Sequence, residues 1–255
     1  MGQILDNVRA LYMEGIRDGR AREAVEKYTG DRYTQHSTGV ANGVEGFVTF
    51  FEGFIARTPD RHIEIVRAFE DGRHAFVQAY QSLNGGEAKW VTMDLFDTDA
   101  EGRIIEHWDV IEAFAEEVPS GAGMVEGVSD VDESADTTVS KELVREYIKQ
   151  VVQQGEHGKL DDFISPDLIQ HSPRIAAGRD GLRDHLASEA SGDYEMLFML
   201  IGQGNFVATL GKTHVDGQDH AVIDLYRVEN GRIAEHWDVD EPILERSQWG
   251  NSGKF

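Results

Sequence analysis

GRIIEHWDV at Gly102–Val110 returns as GRIAEHWDV at Gly231–Val239, with one mismatch in nine positions. Two further matches keep the same order. Gln35-His36-Ser37 recurs as Gln170-His171-Ser172, and Met93-Asp94-Leu95-Phe96 recurs as Ile223-Asp224-Leu225-Tyr226. The offsets drift slowly, 135, then 130, then 129. The residues lost between copies fall in turns, as in DTDAEG against RVENG. Indels in loops and matches in elements are the mark of a duplicated domain. A period this long means two tandem domains and not a solenoid.

Between the copies, AEEVPSGAGMVEGVSDVDESADTTVS (115–140) is rich in Gly, Ser, Asp and Glu and has no sustained period, so it reads as a linker. The expected organisation is a domain over 1–118, an acidic Gly/Ser linker over 119–137 and a second domain over 138–255. Each half opens with helical spacing, at Ile4–Ile16 and Leu143–Val152, stopped by Gly19 and Gly155. A short second helix leads into Tyr33–His36 or Leu168–His171, and a third follows at Val44–Ala56 or Arg179–Ser188. Four strand-like runs come next: His62–Phe69, His74–Ser82, Lys89–Phe96 and Arg103–Ala113 in one half. In the other they are Tyr194–Ile201, Phe206–His214, His220–Val228 and Arg232–Glu241, with turns such as EDG, NGG and ENG between runs. Helices first and antiparallel strands after them make an α+β layout, helices packed on one sheet face.

At 255 residues and 40% hydrophobic the chain can bury real cores. No apolar run approaches the length of a transmembrane helix. The start, MGQILDNVRALYMEGIRDGR, lacks the charged and apolar regions of a signal peptide, and Asp6 spoils a myristoylation match. Without cysteine there is no disulfide, thiolate zinc site or cysteine nucleophile. These features predict a cytoplasmic protein. A formal charge of −23 repels nucleic acid and anionic membranes, so neither is an expected partner. That charge serves solubility, or adaptation to salt.

On a strand, alternate side chains share a face. His107 therefore sits beside Asp109, and His236 beside Asp238. Asp94 shares a face with Trp90 and Thr92, and Asp224 with His220 and Val222; these four neighbours are expected to line a pocket. A lone strand His is usually solvated or packed, and Trp108 and Trp237 read as packing residues. An Asp amid VTMDLF or AVIDLY is costly to bury unless paired or protonated, and both halves carry it. Asp224 is thus expected to titrate above the ordinary carboxylate value, unless a protonated His236 pulls it back down.

These motifs resemble the SnoaL-like polyketide cyclase group of the nuclear transport factor 2-like superfamily: QHS-turn-G, then (M/I)DL(F/Y), then GRIxEHWDV, across each half. The closest likeness is to the subgroup described as predicted aldol-condensation-catalysing proteins, whose tails are similar to NSGKF (Asn251–Phe255) and PSGAGM. The resemblance implies two tandem cone-shaped α+β barrels, each a curved mixed sheet wrapped on N-terminal helices around an open pocket. VIDLYRVENGRI also resembles the ketosteroid isomerase strand that carries an oxyanion-hole aspartate, which maps to Asp94 and Asp224. His36 and His171 fall near that enzyme's carboxylate base, and His107, Asp109, His236 and Asp238 on pocket positions. The isomerase's catalytic tyrosine has no convincing match. Family members are commonly homodimers, so the fused halves are expected to form an intrachain pseudo-dimer, with further self-association open.

The resulting expectation is acid–base chemistry on a small apolar carbonyl compound. His36 and His171 would be the bases, Asp94 and Asp224 with His107 and His236 the donors to an enolate oxygen, and Asp109 and Asp238 would orient or charge the imidazoles. Ketosteroid isomerase, whose protonated aspartate donates to such an oxygen, enters here by analogy. Isomerisation, intramolecular aldol cyclisation or dehydration would fit. The alternatives are a non-catalytic small-molecule binding module and a structural dimerisation domain. No cofactor and no tightly held metal are expected, although His36, His107 and Asp109 supply the types of a facial triad.

Overall fold

The computed structural model describes residues 2–255, which divide into two units. Unit 1 comprises residues 2–113 with Leu244–Phe255, and unit 2 comprises Phe114–Ile243. In unit 1, α1 (Gln3–Ala10) runs on as a wider π-helical stretch, Leu11–Arg17, then come α2 (Ala21–Tyr28), β1 (Thr29–Gln35), α3 (Gly43–Arg57), β2 (Arg61–Asp71), β3 (His74–Leu83), β4 (Ala88–Thr98) and β5 (Ile104–Ala113). Unit 2 repeats the order: α4 (Thr137–Tyr147) with a π stretch Ile148–Gln153, α5 (Leu160–Phe163), β6 (Ile164–Gln170), α6 (Gly178–Leu186), β7 (Asp193–Gln203), β8 (Phe206–Val215), β9 (Gln218–Glu229) and β10 (Arg232–Pro242). Each unit is the expected cone of helices on a mixed sheet, with strand orders β1-β5-β4-β3-β2 and β6-β10-β9-β8-β7.

The opening helices form because apolar residues recur every three or four positions. Leu5, Val8, Leu11, Tyr12 and Ile16 make one buried stripe along α1 and its π stretch, and Val144, Ile148 and Val151 one along α4 and its π stretch. The stripes pack with inward strand residues such as Ala75 and Val77, or Val207 and Tyr226. Burying each such aliphatic side chain stabilises by about 1.5–3 kcal/mol. Asp136 starts α4 by accepting from the N–H groups of Thr138 and Val139, a cap worth about 1 kcal/mol. Gly19 and Gly155 end the opening helices with φ of +78° and +68°, a region closed to most side chains.

Two features depart from the sequence expectation. The segments leading into Tyr33–His36 and Leu168–His171 end in strands, β1 and β6, which pair parallel to β5 and β10. Their polar, short sequences, TGDRYTQ and ISPDLIQ, hold little apolar alternation to announce a strand. The second departure concerns 119–137, expected as a linker, which is laid on unit 2. Trp237 Nε1 donates to Glu126 O (2.9 Å), and Asp132 N donates to Asn205 Oδ1 (2.9 Å). Turn-rich backbone of this kind needs partners for its polar groups, and unit 2 supplies them. Residues 244–255 are likewise part of unit 1. No helix among the described residues is long and apolar enough to cross a membrane.

Candidate functional site

Each site begins with register. Asp94 on β4 lies opposite Asp109 on β5, and Gln35 on the parallel β1 opposite His107. Unit 2 matches, with Asp224 opposite Asp238 and Gln170 opposite His236. In unit 1 these side chains line a cavity of about 270 Å³ with Tyr12, Trp90 and Thr92, among aromatic rings of α3 such as Phe47 and Phe51. In unit 2, Asp224, His236 and Asp238 line a cavity of about 820 Å³ with His220, Val222 and Arg174.

The imidazole of His107 is held at both nitrogens. Nδ1 lies 2.8 Å from Gln35 Oε1, and Nε2 lies 2.9 Å from Asp94 Oδ1. His236 repeats this with Gln170 Oε1 (3.0 Å) and Asp224 Oδ1 (2.9 Å). Ser172 N donates to the same Gln170 Oε1 (3.0 Å), which fixes that atom as the carbonyl oxygen. Nδ1 must therefore be the donor to glutamine, and the proton on the Nε2–carboxylate line is shared between imidazole and aspartate. Phe96 and Tyr226 stack on the two imidazoles, with centroids 4.7 and 4.9 Å apart.

In unit 1 the second Asp94 oxygen accepts from Tyr12 Oη (3.0 Å), which also bonds Thr92 Oγ1 (2.7 Å). Burial pushes the Asp94 carboxyl above its ordinary value, against the pull of His107. Burial and the Asp94 charge push the Tyr12 phenol well up. A tyrosine therefore stands beside the aspartate, contrary to the sequence expectation. Its counterpart Tyr147 lines the cavity of unit 2, where the second Asp224 oxygen instead meets Thr209 Oγ1 at 3.5 Å.

Asp109 is buried beside a cation. Lys254 Nζ lies 3.1 Å from Asp109 Oδ1 and donates to Asp109 O (2.6 Å). Burial alone would raise this carboxyl, but the Lys254 ammonium and His107 outweigh it and hold it below the usual range. Unit 2 takes its cation from elsewhere: Arg174 donates to Asp238 Oδ2 (2.9 Å), joined by Ser172 Oγ (3.1 Å). There too the cation, with His236, outweighs burial and lowers the carboxyl. Asp238 Oδ1 is buried without a hydrogen-bond partner.

His36 and His171, expected as bases, are not among the residues that line either cavity. The reason is strand phase: Gln35 and Gln170 end β1 and β6 facing inward, which turns the next residue outward. His36 stacks on Trp108 (centroids 4.7 Å) and His171 on Trp237 (4.7 Å). Their Nδ1 atoms meet Gly253 O and Gly123 O at 2.7 Å, and their Nε2 atoms meet Glu106 Oε1 and Glu235 Oε1 at 2.9 Å. No nitrogen is left for a ligand, and the proposed facial triad loses His36. These pairs fasten the segments 244–255 and 114–136 to their units. Glu235, fully buried, also accepts from Arg227 Nε (2.7 Å), whereas Glu106 keeps a side chain 19% exposed beside Arg32. Glu235→Ala is expected to cost about 3–5 kcal/mol, because it takes the buried carboxylate from both Arg227 and His171 and leaves Arg227 only the exposed Glu229 at 3.3 Å. Glu106→Ala should cost less, about 1–3 kcal/mol, because it leaves only the His36 Nε2 unpaired and its Arg32 contact is at the surface. Urea unfolding of both variants checks this, and equal losses would mean that burial is not what separates them.

Asp94, His107 and Asp109 place ligand atoms within 4.8 Å of one another, as do Glu195, His214 and Asp219. Neither trio suits a divalent ion. The first already holds the Lys254 ammonium and a shared proton. In the second, Lys212 Nζ lies 2.8 Å from Glu195 and 2.7 Å from Asp219.

A family model described as a SnoaL-like domain matches the chain twice, over residues 8–107 and 144–236. No curated protein matches the chain. Among solved structures, a candidate polyketide cyclase from Bacillus cereus ATCC 10987 is 16% identical over 43% of this chain and 74% of its own, with a TM-score of 0.38. A candidate ketosteroid isomerase from Kribbella flavida DSM 17836 is 17% identical over 44% of this chain and 84% of its own, with a TM-score of 0.39. TsrD from Streptomyces laurentii is 21% identical over 42% of this chain and 90% of its own, with a TM-score of 0.35.

Proposed function

The chain belongs to the SnoaL-like domain family in both of its halves, and on that premise we propose that its cavities bind small carbonyl compounds and move a proton on them. One observation carries this reading: a hydrogen bond of 2.9 Å between a buried imidazole Nε2 and a buried carboxyl at the floor of a cavity, present in both units. The dyad gives its proton to the carbonyl oxygen as charge develops there, in a site from which water is largely excluded. Tyr12 keeps the Asp94 carboxyl aimed in unit 1.

The base in this reading is Asp109 or Asp238, in place of His36 and His171. Each carboxylate is ionised, buried and on the cavity wall. A carboxylate with a lowered pKa is a weak base, so the carbon acid must be a strong one, such as a methylene between two carbonyl groups. The C–H electron pair becomes the enol double bond, the carbonyl oxygen takes the dyad proton, and Asp109 holds the carbon proton. Return of that proton to another carbon is isomerisation; attack of the enol carbon on a second carbonyl is aldol cyclisation.

Ethyl 2-methylacetoacetate fits the smaller cavity and tests the step. Proton NMR in D2O should show exchange at C2 about 100-fold faster with protein than in the same buffer. Exchange at the buffer rate, with saturable binding of the ester, would replace the enzyme reading with a binding module.

A further inference from the structure

The rim of one cavity is apolar, and the same three positions are polar in the other. Four residues before Asp94 and Asp224 stand Trp90 and His220. Two residues after Asp109 and Asp238 stand Ile111 and Asp240. Seven residues into α3 and α6 stand Phe50 and His185. Phe50, Trp90 and Ile111 line the cavity of unit 1 while remaining 38%, 36% and 38% exposed. All three counterparts, His185, His220 and Asp240, line the cavity of unit 2. Three coordinated changes at one rim are a change of chemistry and not of packing.

The new side chains form a pair. His220 Nδ1 lies 2.5 Å from Asp240 Oδ1. A carboxylate only accepts, so Nδ1 carries a proton, and in the neutral imidazole Nε2 keeps its lone pair. Among the described residues no hydrogen bond reaches Nε2, and the side chain is 20% exposed at the cavity. An aspartate that fixes the tautomer and leaves the far nitrogen free is the arrangement that makes histidine a proton acceptor. The groups around it are Thr213, opposite on β8, His185 from α6, Asp238 and Asp224 deeper on β10 and β9, and Arg174. Burial, with the nearby Arg174 guanidinium, holds the His185 imidazole below its ordinary value.

We propose that His220, positioned by Asp240, is a general base at the mouth of the unit 2 cavity, acting on an extended substrate with two carbonyl groups. The proposal rests on the reading of the floor dyad given above. His220 and Asp224 share one face of β9 four residues apart, so their Cα atoms are roughly 13 Å apart at about 3.3 Å per residue. Mouth and floor therefore act on different ends of one ligand. A cavity of about 820 Å³ admits such a molecule, whereas about 270 Å³ does not. Opposite Asp224 at the floor, Asp238 Oδ1, buried and without a partner, awaits a hydroxyl or N–H from the inner end of the ligand. The step balances without a co-reactant. Nε2 takes a proton from the carbon next to the outer carbonyl, the C–H pair becomes a carbon–carbon double bond, and the carbonyl pair moves to oxygen. The imidazolium then returns its proton to the same carbon or to one further along the conjugated system.

5-Nitrobenzisoxazole tests the base alone, because a single proton abstraction from carbon breaks its N–O bond and releases a coloured phenolate. The full chain should open it, and His220→Ala should lower kcat/KM about 100-fold. Added imidazole should restore the His220→Ala rate, which no structural role would allow. Asp240→Asn should lower kcat more than it raises KM, because the amide presents the wrong tautomer. His220→Gln keeps the half-buried volume and should behave as His220→Ala does. No opening by the full chain, or opening that both His220 variants retain, overturns the proposal. Keto-ester exchange on the same samples reads the floor dyads, so a failed floor reading shows there and not in the benzisoxazole rates.

Discussion

Lys254→Met should destabilise unit 1 by about 3–5 kcal/mol at pH 7, because it leaves Asp109 charged and buried without its ammonium partner. Methionine is the informative replacement. Gly123 and Gly253 occupy equivalent places, each accepting from a histidine Nδ1, so Met124 of unit 2 stands where Lys254 stands in unit 1. Both side chains are only 2% exposed. The pH dependence carries a definite sign. In the parent protein Asp109 is lowered, so its contribution is present above the unfolded value near 3.9 and is lost as pH falls through the folded value. Without the ammonium, burial dominates and the folded value rises above the unfolded one. The loss in Lys254→Met should then be largest at neutral pH and shrink toward pH 4. Gly39→Arg should repair it, since Arg174 serves unit 2 from the equivalent loop position and a side chain at Gly39 meets nothing within 4 Å. Urea midpoints across pH check both arms. A loss independent of pH, or no repair by Gly39→Arg, would show that Lys254 acts by packing.

Asp94→Asn together with Asp224→Asn should slow keto-ester exchange about 10²–10³-fold while changing stability by no more than about 1 kcal/mol. The amide fills the same space. Its oxygen still accepts from Tyr12, and its NH2 donates to His107 Nε2, so unit 1 keeps its hydrogen bonds and loses only the transferable proton. In the parent protein the Asp94 carboxyl is raised by burial, so the unit 1 rate should fall as pH climbs past that raised value and the dyad loses its proton. The double variant should lack that alkaline limb. A rate that survives in it would make the dyads structural and leave the binding-module reading in place.

The fold was legible where side chains alternate. Eight strands could be read from period-two patterns, and strand phase alone put His107 with Asp109 and Asp94 with Thr92. The other two strands, β1 and β6, are short, polar and paired along one side only, and missing them had a direct cost at the site. With Tyr33–His36 read as the outlet of a helix, nothing decided which way its side chains point, and the histidine of Gln35-His36-Ser37 drew the attention that belonged to its glutamine. Tyr12 and Tyr147 were within reach, since they are 135 residues apart, the same offset as His36 and His171. Lys254 was not. It meets Asp109 across 145 residues of chain, and no local pattern encodes a contact at that distance.

That distance also sets a clock. Asp109 leaves the ribosome with its strand, but its counter-ion follows only after the whole of unit 2 has been made. At about 5–20 residues per second, 145 residues take roughly 7–29 s. For that interval the nascent first unit holds a carboxylate with no cation and a His36 with no carbonyl on Nδ1, so it should stay loose while its neighbour is translated. Unit 2 has no such wait, because residues 114–136 and Arg174 emerge before β9 and β10 are complete. The order of synthesis is thus first unit begun, second unit finished, first unit closed, and translation pauses within 244–255 should delay the cavity of unit 1 alone.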